Sequence, residues 1–96
     1  MILCERETDR GLLVSVCDPD VLGETFENGE ISLTVTEEFY GGDEADKETV
    51  VASLSRAAVA NIVGTRSVEV AIDAGIIEAG NVLELDGAQH AQLVRF

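Results

Sequence analysis

Two dipeptides, Asn28-Gly29 and Asp86-Gly87, constrain this chain more than any other feature in it. Each stands between runs rich in apolar residues. Each is also the pair that a two-residue type I′ turn wants, because both central positions there take φ > 0. "ETFENGEISLTV" is therefore expected to fold back on itself. Ile31, Leu33 and Val35 then lie on one side of a strand, and Ser32, Thr34 and Thr36 on the wet side. "NVLELDGAQHAQLVRF" repeats the arrangement, in a register that sets Leu85 against Ala88 and Leu83 against His90. A third hairpin is expected at the start, where "TDRG" separates the runs "MILCERE" and "LLVSVCD".

Before the last hairpin the apolar period changes from two to 3.6. After Asp46, the residues Val50, Val51, Leu54, Ala57, Ala58 and Ile62 form one helical stripe. Asp46 or Asp43 can cap it, Glu48 suits its positive end, and Gly64 is placed to end it. "TRSVEVAIDAG" fits both periods: Val68, Val70 and Ile72 alternate, while Val68, Ala71, Ile72 and Gly75 sit at helical spacing. Thr65 as N-cap and Gly75 as terminator favour a second, shorter helix. Asp18 before Pro19, with Gly23 beyond, predicts a single capped helical turn. The expected object is one domain over residues 1–96, of α+β class: a small antiparallel sheet built from hairpins with two helices packed on one face.

Charge sets the solvent. Nineteen Asp and Glu face six Lys and Arg, Lys47 being the single lysine, for a net charge of −13. On a small domain this many like charges oppose compaction in dilute buffer, and molar salt screens them. The acids are spread through every segment, and aromatics are few, as in the cytosolic proteins of halophiles. With such a background the total charge says little about nucleic acid, and only local arginine clusters would speak for it. The start "MILCERETDR" has no apolar h-region, and no run of 18 apolar residues occurs, so a cytoplasmic location is expected. Cys4 and Cys17 form no CxxC pair and read as buried free thiols.

Four places invite chemistry. His90, the single histidine, is the natural general base, and a Cys17–Asp18–His90 set would be a small enzyme's site, although no local signature supports it. "GGDEADKE" gathers four acids in six residues, but Asp43-Glu44-Ala45-Asp46 lacks the ligand offsets of a calcium loop, and no metal or cofactor is expected. Gly64, Thr65, Arg66 and Ser67 stand at a helix start where backbone N–H groups, two hydroxyls and a guanidinium could take a phosphate, a reading that requires Arg56 and Arg66 to share one surface. Finally, Phe39 and Tyr40 precede Gly41-Gly42. On a strand the two rings would point to opposite faces, which leaves Tyr40 as the exposed anchor of a recognition loop.

"LLVSVCDPDVLGETF", "EEFYGG" and "ANIVGTRSVEVAIDAG" give the chain a further handle. Cys17, Asp18 and Gly23, then Phe39, Tyr40 and Gly41, then Val63 and Gly64 resemble the archaeal family known as domain of unknown function 424, from about Leu12 to Leu93. The resemblance implies an archaeal, stand-alone α+β domain and brings no activity, cofactor or catalytic residue with it. It carries a loose association with translation-related or RNA-binding roles. The reading preferred is a non-catalytic interaction module of a larger complex, with a protein or ribonucleoprotein partner and no membrane. The alternatives are an RNA- or nucleotide-binding protein using Gly64 to Ser67, and the small enzyme above.

Overall fold

The computed structural model describes residues 1–95. β1 (Ile2–Thr8) and β2 (Gly11–Cys17) form the first hairpin, paired along their length from Ile2↔Cys17 to Thr8↔Gly11. β3 (Thr25–Asn28) and β4 (Ile31–Thr34) form a separate two-stranded sheet. Its turn differs by one residue from the expected one. Asn28 pairs with Ile31, so Gly29 and Glu30 are the central residues, with Gly29 at φ +63° and Glu30 not in the left-handed region. A glycine at the first central position is the type II′ arrangement, which needs only one positive φ.

After a helical turn α1 (Glu37–Tyr40), the two-residue strand β5 (Asp43–Glu44) pairs with Ile2 and Leu3. α2 (Lys47–Arg56) starts where the sequence indicates, with Asp46 Oδ1 accepting from Thr49 N–H at 2.9 Å. It stops seven residues short of Val63. Residues expected to prolong it form the strand β6 (Val59–Val63), parallel to β2 on one side and antiparallel to β8 (Ala88–Val94) on the other. A short apolar run reads alike as helix or strand, and the β-branched Val59, Ile62 and Val63 tip it to strand once both edges are paired. Arg95 fixes the helix end: its Nη1 donates to the carbonyls of Leu54, Ser55 and Ala57 at 3.0, 3.3 and 2.9 Å.

α3 (Thr65–Asp73) is the second, shorter helix, ended by Gly75 at φ +76°. β7 (Leu83–Leu85) and β8 close the chain in the expected register, Leu85↔Ala88 and Leu83↔His90. The main sheet runs β5-β1-β2-β6-β8-β7, and the fold is α+β as expected, although the β2–β6 pair makes the sheet mixed rather than purely antiparallel.

Both longer helices pack on one face of this sheet. Val50 and Leu54 of α2 and Val68 and Ala71 of α3 meet Val14, Val16, Ala60, Ile62 and Ala91 in the main core. A smaller core on the opposite face joins Cys17 and Val63 to Val21, Val35 and Tyr40. No helix among the described residues is long and apolar enough to cross a membrane.

Candidate functional site

The end of β2 and the end of β6 lie side by side, and Asp18 joins them. Its backbone N–H donates to the Val63 carbonyl at 3.0 Å. Its carboxylate does not cap the 3-10 turn Pro19–Val21 that follows it, as the sequence suggests, but turns to the first turn of α3. There Oδ2 accepts from Arg66 N–H at 3.0 Å, and Oδ1 accepts from Ser67 N–H and Ser67 Oγ at 2.8 and 2.7 Å. The N-cap position is Gly64, not Thr65, and it has no side chain to offer, so Asp18 serves as the cap from forty-eight residues away. Gly64 sits at φ +113°, and a Cβ there would run into the Asp18 carboxyl group. The donors that a phosphate would use at Arg66 and Ser67 thus already hold an internal carboxylate.

The Phe39-Tyr40 stretch is a helical turn rather than a fraying strand. Thr36 Oγ1 accepts from Phe39 N–H at 3.3 Å, Tyr40 N–H donates to the Thr36 carbonyl at 2.8 Å, and two glutamates occupy the first turn. The roles of the rings are therefore reversed from the expected ones. Tyr40 is buried at 3% exposure beside Cys17, its hydroxyl pushed up to about 12 by burial, and by the charge of Cys17. Phe39 is half-buried and stacks under Arg6, whose guanidinium lies 5.3 Å from the ring centre and donates to the carbonyls of Phe39 and Glu38. Gly41 and Gly42 give room for backbone: a Cβ on Gly41 would meet the Glu37 carbonyl, and one on Gly42 the Leu3 carbonyl.

Cys17, Asp18 and His90 do not form a catalytic set. Register places Cys17 opposite Val63 and Val63 opposite His90, so the thiol and the imidazole stand two strands apart, about 10 Å, with Val63 between them. Burial, then the charge of Asp18, pushes the Cys17 thiol up to about 11, which leaves it an inert core group. Burial also lowers the pKa of His90, and neither His90 Nε2 nor the buried Ser15 Oγ meets a protein hydrogen-bond partner among the described residues. Arg56 and Arg66 do not converge either. Arg56 pairs with Glu5 at 2.9 Å beyond one end of β6, and Arg66 follows the other end. The acidic run is divided between β5 and the Asp46 cap, and among the described residues no three His, Cys, Asp or Glu groups gather as metal ligands.

A different set of residues comes together on the sheet face turned away from α2 and α3. Cross-strand partners share a face, so Ser15, Asn61 and Gln92 form one row across β2, β6 and β8, and Leu13, Val59 and Val94 the next. α1 covers the β1 side of this face. The β3–β4 hairpin docks at β7, through Asn28 Nδ2 to the Glu84 carbonyl at 3.1 Å and Asp86 N–H to the Glu27 carbonyl at 3.0 Å. Between them Gln92 is exposed, Asn61, Leu13 and Val59 are half-buried, and Val94 and Leu83 are exposed to 50% and 36%. "GLLVSVC", "VANIV" and "AQHAQLV", the three central strands, contain no Asp, Glu, Lys or Arg. This is the signal that motif-reading passes over: an exposed sheet face without a carboxylate, in a chain where one residue in five is acidic.

The fold is shared. A crystal structure of an uncharacterized conserved protein from Methanopyrus kandleri superimposes with a TM-score of 0.79, at 23% identity, over 96% of this chain and 88% of that one. No curated protein matches the chain. The profile of the family described as "Protein of unknown function (DUF424)" matches residues 5–96. The segments first singled out, at Cys17-Asp18, at Phe39 to Gly41 and at Val63-Gly64, meet in this structure around one junction of buried side chains and an aspartate cap. With the match running from β1 through β8, the chain belongs to the DUF424 family.

Proposed function

We propose that this protein is a non-catalytic interaction module of a larger complex, and that the open face of β2, β6 and β8 receives a protein partner. One observation carries the reading: the exposed part of that face bears apolar and amide side chains and no charge, whereas carboxylates are distributed over the rest of the chain. Cores of protein interfaces are depleted in charged residues, and apolar surface left open on a sheet is normally covered by something. Asn61 and Gln92 each offer donors and acceptors, which suits a partner's backbone or side-chain amides. The reading includes the solvent. With a net charge of −13, the module works in concentrated salt, where a charge-free face keeps its affinity while ion pairs are screened.

The test is a comparison of native chain with the double variant Asn61→Asp, Gln92→Glu, each immobilised in salt-matched lysate of the source cell. A partner retained in stoichiometric amount by the native chain and lost by the variant is the expected result. If both retain the same proteins while both remain folded by circular dichroism, the face is not an interface and the reading fails.

A further inference from the structure

At the end of β2 remote from Asp18, the open face runs into a cavity of about 430 Å³ lined by Arg10, Ala58, Val59, Val94 and Arg95. Ala58, Val59 and Val94 make part of its lining aliphatic, two arginines complete it, and among the described residues no carboxylate lines it. Two further cavities follow the composition of the chain instead. One of about 440 Å³ sets Glu48 and Asp73 beside Lys47, and one of about 340 Å³ is lined by Glu5, Asp43 and Glu44. The two arginines of the first cavity are unequal. Arg95 is held on the carbonyls that end α2, so its charge is fixed in place. Arg10 stands exposed in the turn between β1 and β2, and among the described residues its guanidinium makes no hydrogen bond or ion pair.

Charge complementarity selects the occupant. The geometry points to an acidic peptide segment of the partner protein, with an aliphatic side chain seated on Val59 and Val94 and a carboxylate held by Arg10. This rests on the interaction-module reading and names the anchor on its surface. A planar guanidinium and a carboxylate match as a bidentate pair, and the aliphatic side chain seated beside it adds apolar contact that salt does not screen. Nucleic acid fits less well. Among the described residues no aromatic ring lines the cavity to stack a base, and two cations make no track for a phosphate backbone.

The full chain, isotope-labelled and in molar potassium chloride, is titrated with three probes: the blocked peptide Leu-Glu-Leu-Glu, its lysine counterpart and an oligouridylate. Amide shifts at Arg10, Ala58, Val59 and Val94 with the acidic peptide alone are expected. Arg10→Glu then weakens binding by about tenfold or more, whereas Arg66→Glu, the same charge change at the other end of β2, leaves it unaltered. Val94→Asp is the second variant, should Arg10→Glu disturb the amide spectrum. The proposal is overturned if the lysine peptide binds as well, if oligouridylate shifts the cavity instead, if both arginine variants weaken binding equally, or if no probe shifts it. A silent cavity, with partner capture that still depends on Asn61 and Gln92, removes this anchor and leaves the module reading standing. A cavity that binds the peptide while capture ignores those two residues does the reverse.

Discussion

Asp18 accepts three hydrogen bonds from a helix forty-eight residues away, and through these and its backbone N–H that one residue ties β2, β6 and α3 together. Asp18→Ala leaves those donors at a partly buried helix start without their carboxylate. The expected cost is about 2 kcal/mol, read as a lower urea midpoint at unchanged m-value, with Asp18→Asn costing less because one acceptor remains. Gly64→Ala strains φ and crowds the same carboxylate, so its penalty should be smaller in the Asp18→Ala background than alone. Additive penalties would refute the contact. His90 supplies a pH signal. Burial lowers its pKa, so below the usual imidazole value of about 6.5 the unfolded chain binds a proton that the native chain refuses. Its contribution to stability is therefore lost as pH falls from about 7 through that window, and nothing changes above it. The comparison is with His90→Gln, which carries every other titrating group unchanged. The native chain should lose melting temperature relative to the variant on acidification, and parallel profiles would show an imidazole that titrates freely.

α1 shows what four residues can do when a buried ring holds them. Thr36 starts the turn, Gly41 and Gly42 let the backbone pass the Glu37 and Leu3 carbonyls, and Tyr40 fixes it to the second core. Tyr40→Ala is expected to cost about 3–5 kcal/mol and to speed amide exchange from Phe39 to Gly41 more than in α2. Phe39→Ala should cost much less, and equal costs would contradict the assignment of Tyr40 as the plug. The sequence signal for this turn was present in Thr36-Glu37-Glu38, a capping residue followed by two acids, and the β-branched run before it masked the signal. Elsewhere legibility follows the range of the interaction. The β1–β2 and β7–β8 hairpins and the Asp46 cap are written in adjacent residues, and the structure keeps the pairing and the cap as read, although Asp86 stays out of the left-handed region that a type I′ turn requires. The end of α2, the strand nature of β6 and the partner of the Asp18 carboxylate depend on Arg95, on β2 with β8, and on Ser67, none of them neighbours in sequence. The open face was hidden for a related reason. It consists of the alternate residues of three strands that only the register lines up.

At the scale of the molecule two demands conflict. A charge of −13 on 96 residues favours expansion, while the cores built on Val14, Ile62 and Tyr40 favour collapse. Salt decides between them, because the Debye length shrinks from about 10 Å at 0.1 M to about 3 Å at 1 M, below the spacing of most surface charges. Potassium chloride has little effect on apolar burial compared with sulfate, so a gain of stability in it reports mainly screening. Between those two concentrations the melting temperature should rise by about 10 °C or more, equivalent to roughly 2 kcal/mol for a domain this size. The mechanism can be separated from general salting-out by lowering the charge itself. Glu24, Glu27 and Glu30 are exposed on the β3–β4 side and make no side-chain ion pair among the described residues, so their replacement by Gln removes repulsion and little else. That triple variant should be the more stable protein in dilute buffer and nearly equal to the native chain at molar salt. If instead the native melting curve does not move with salt, the carboxylates are not an accommodation to brine, and their density has to be explained by what the protein binds.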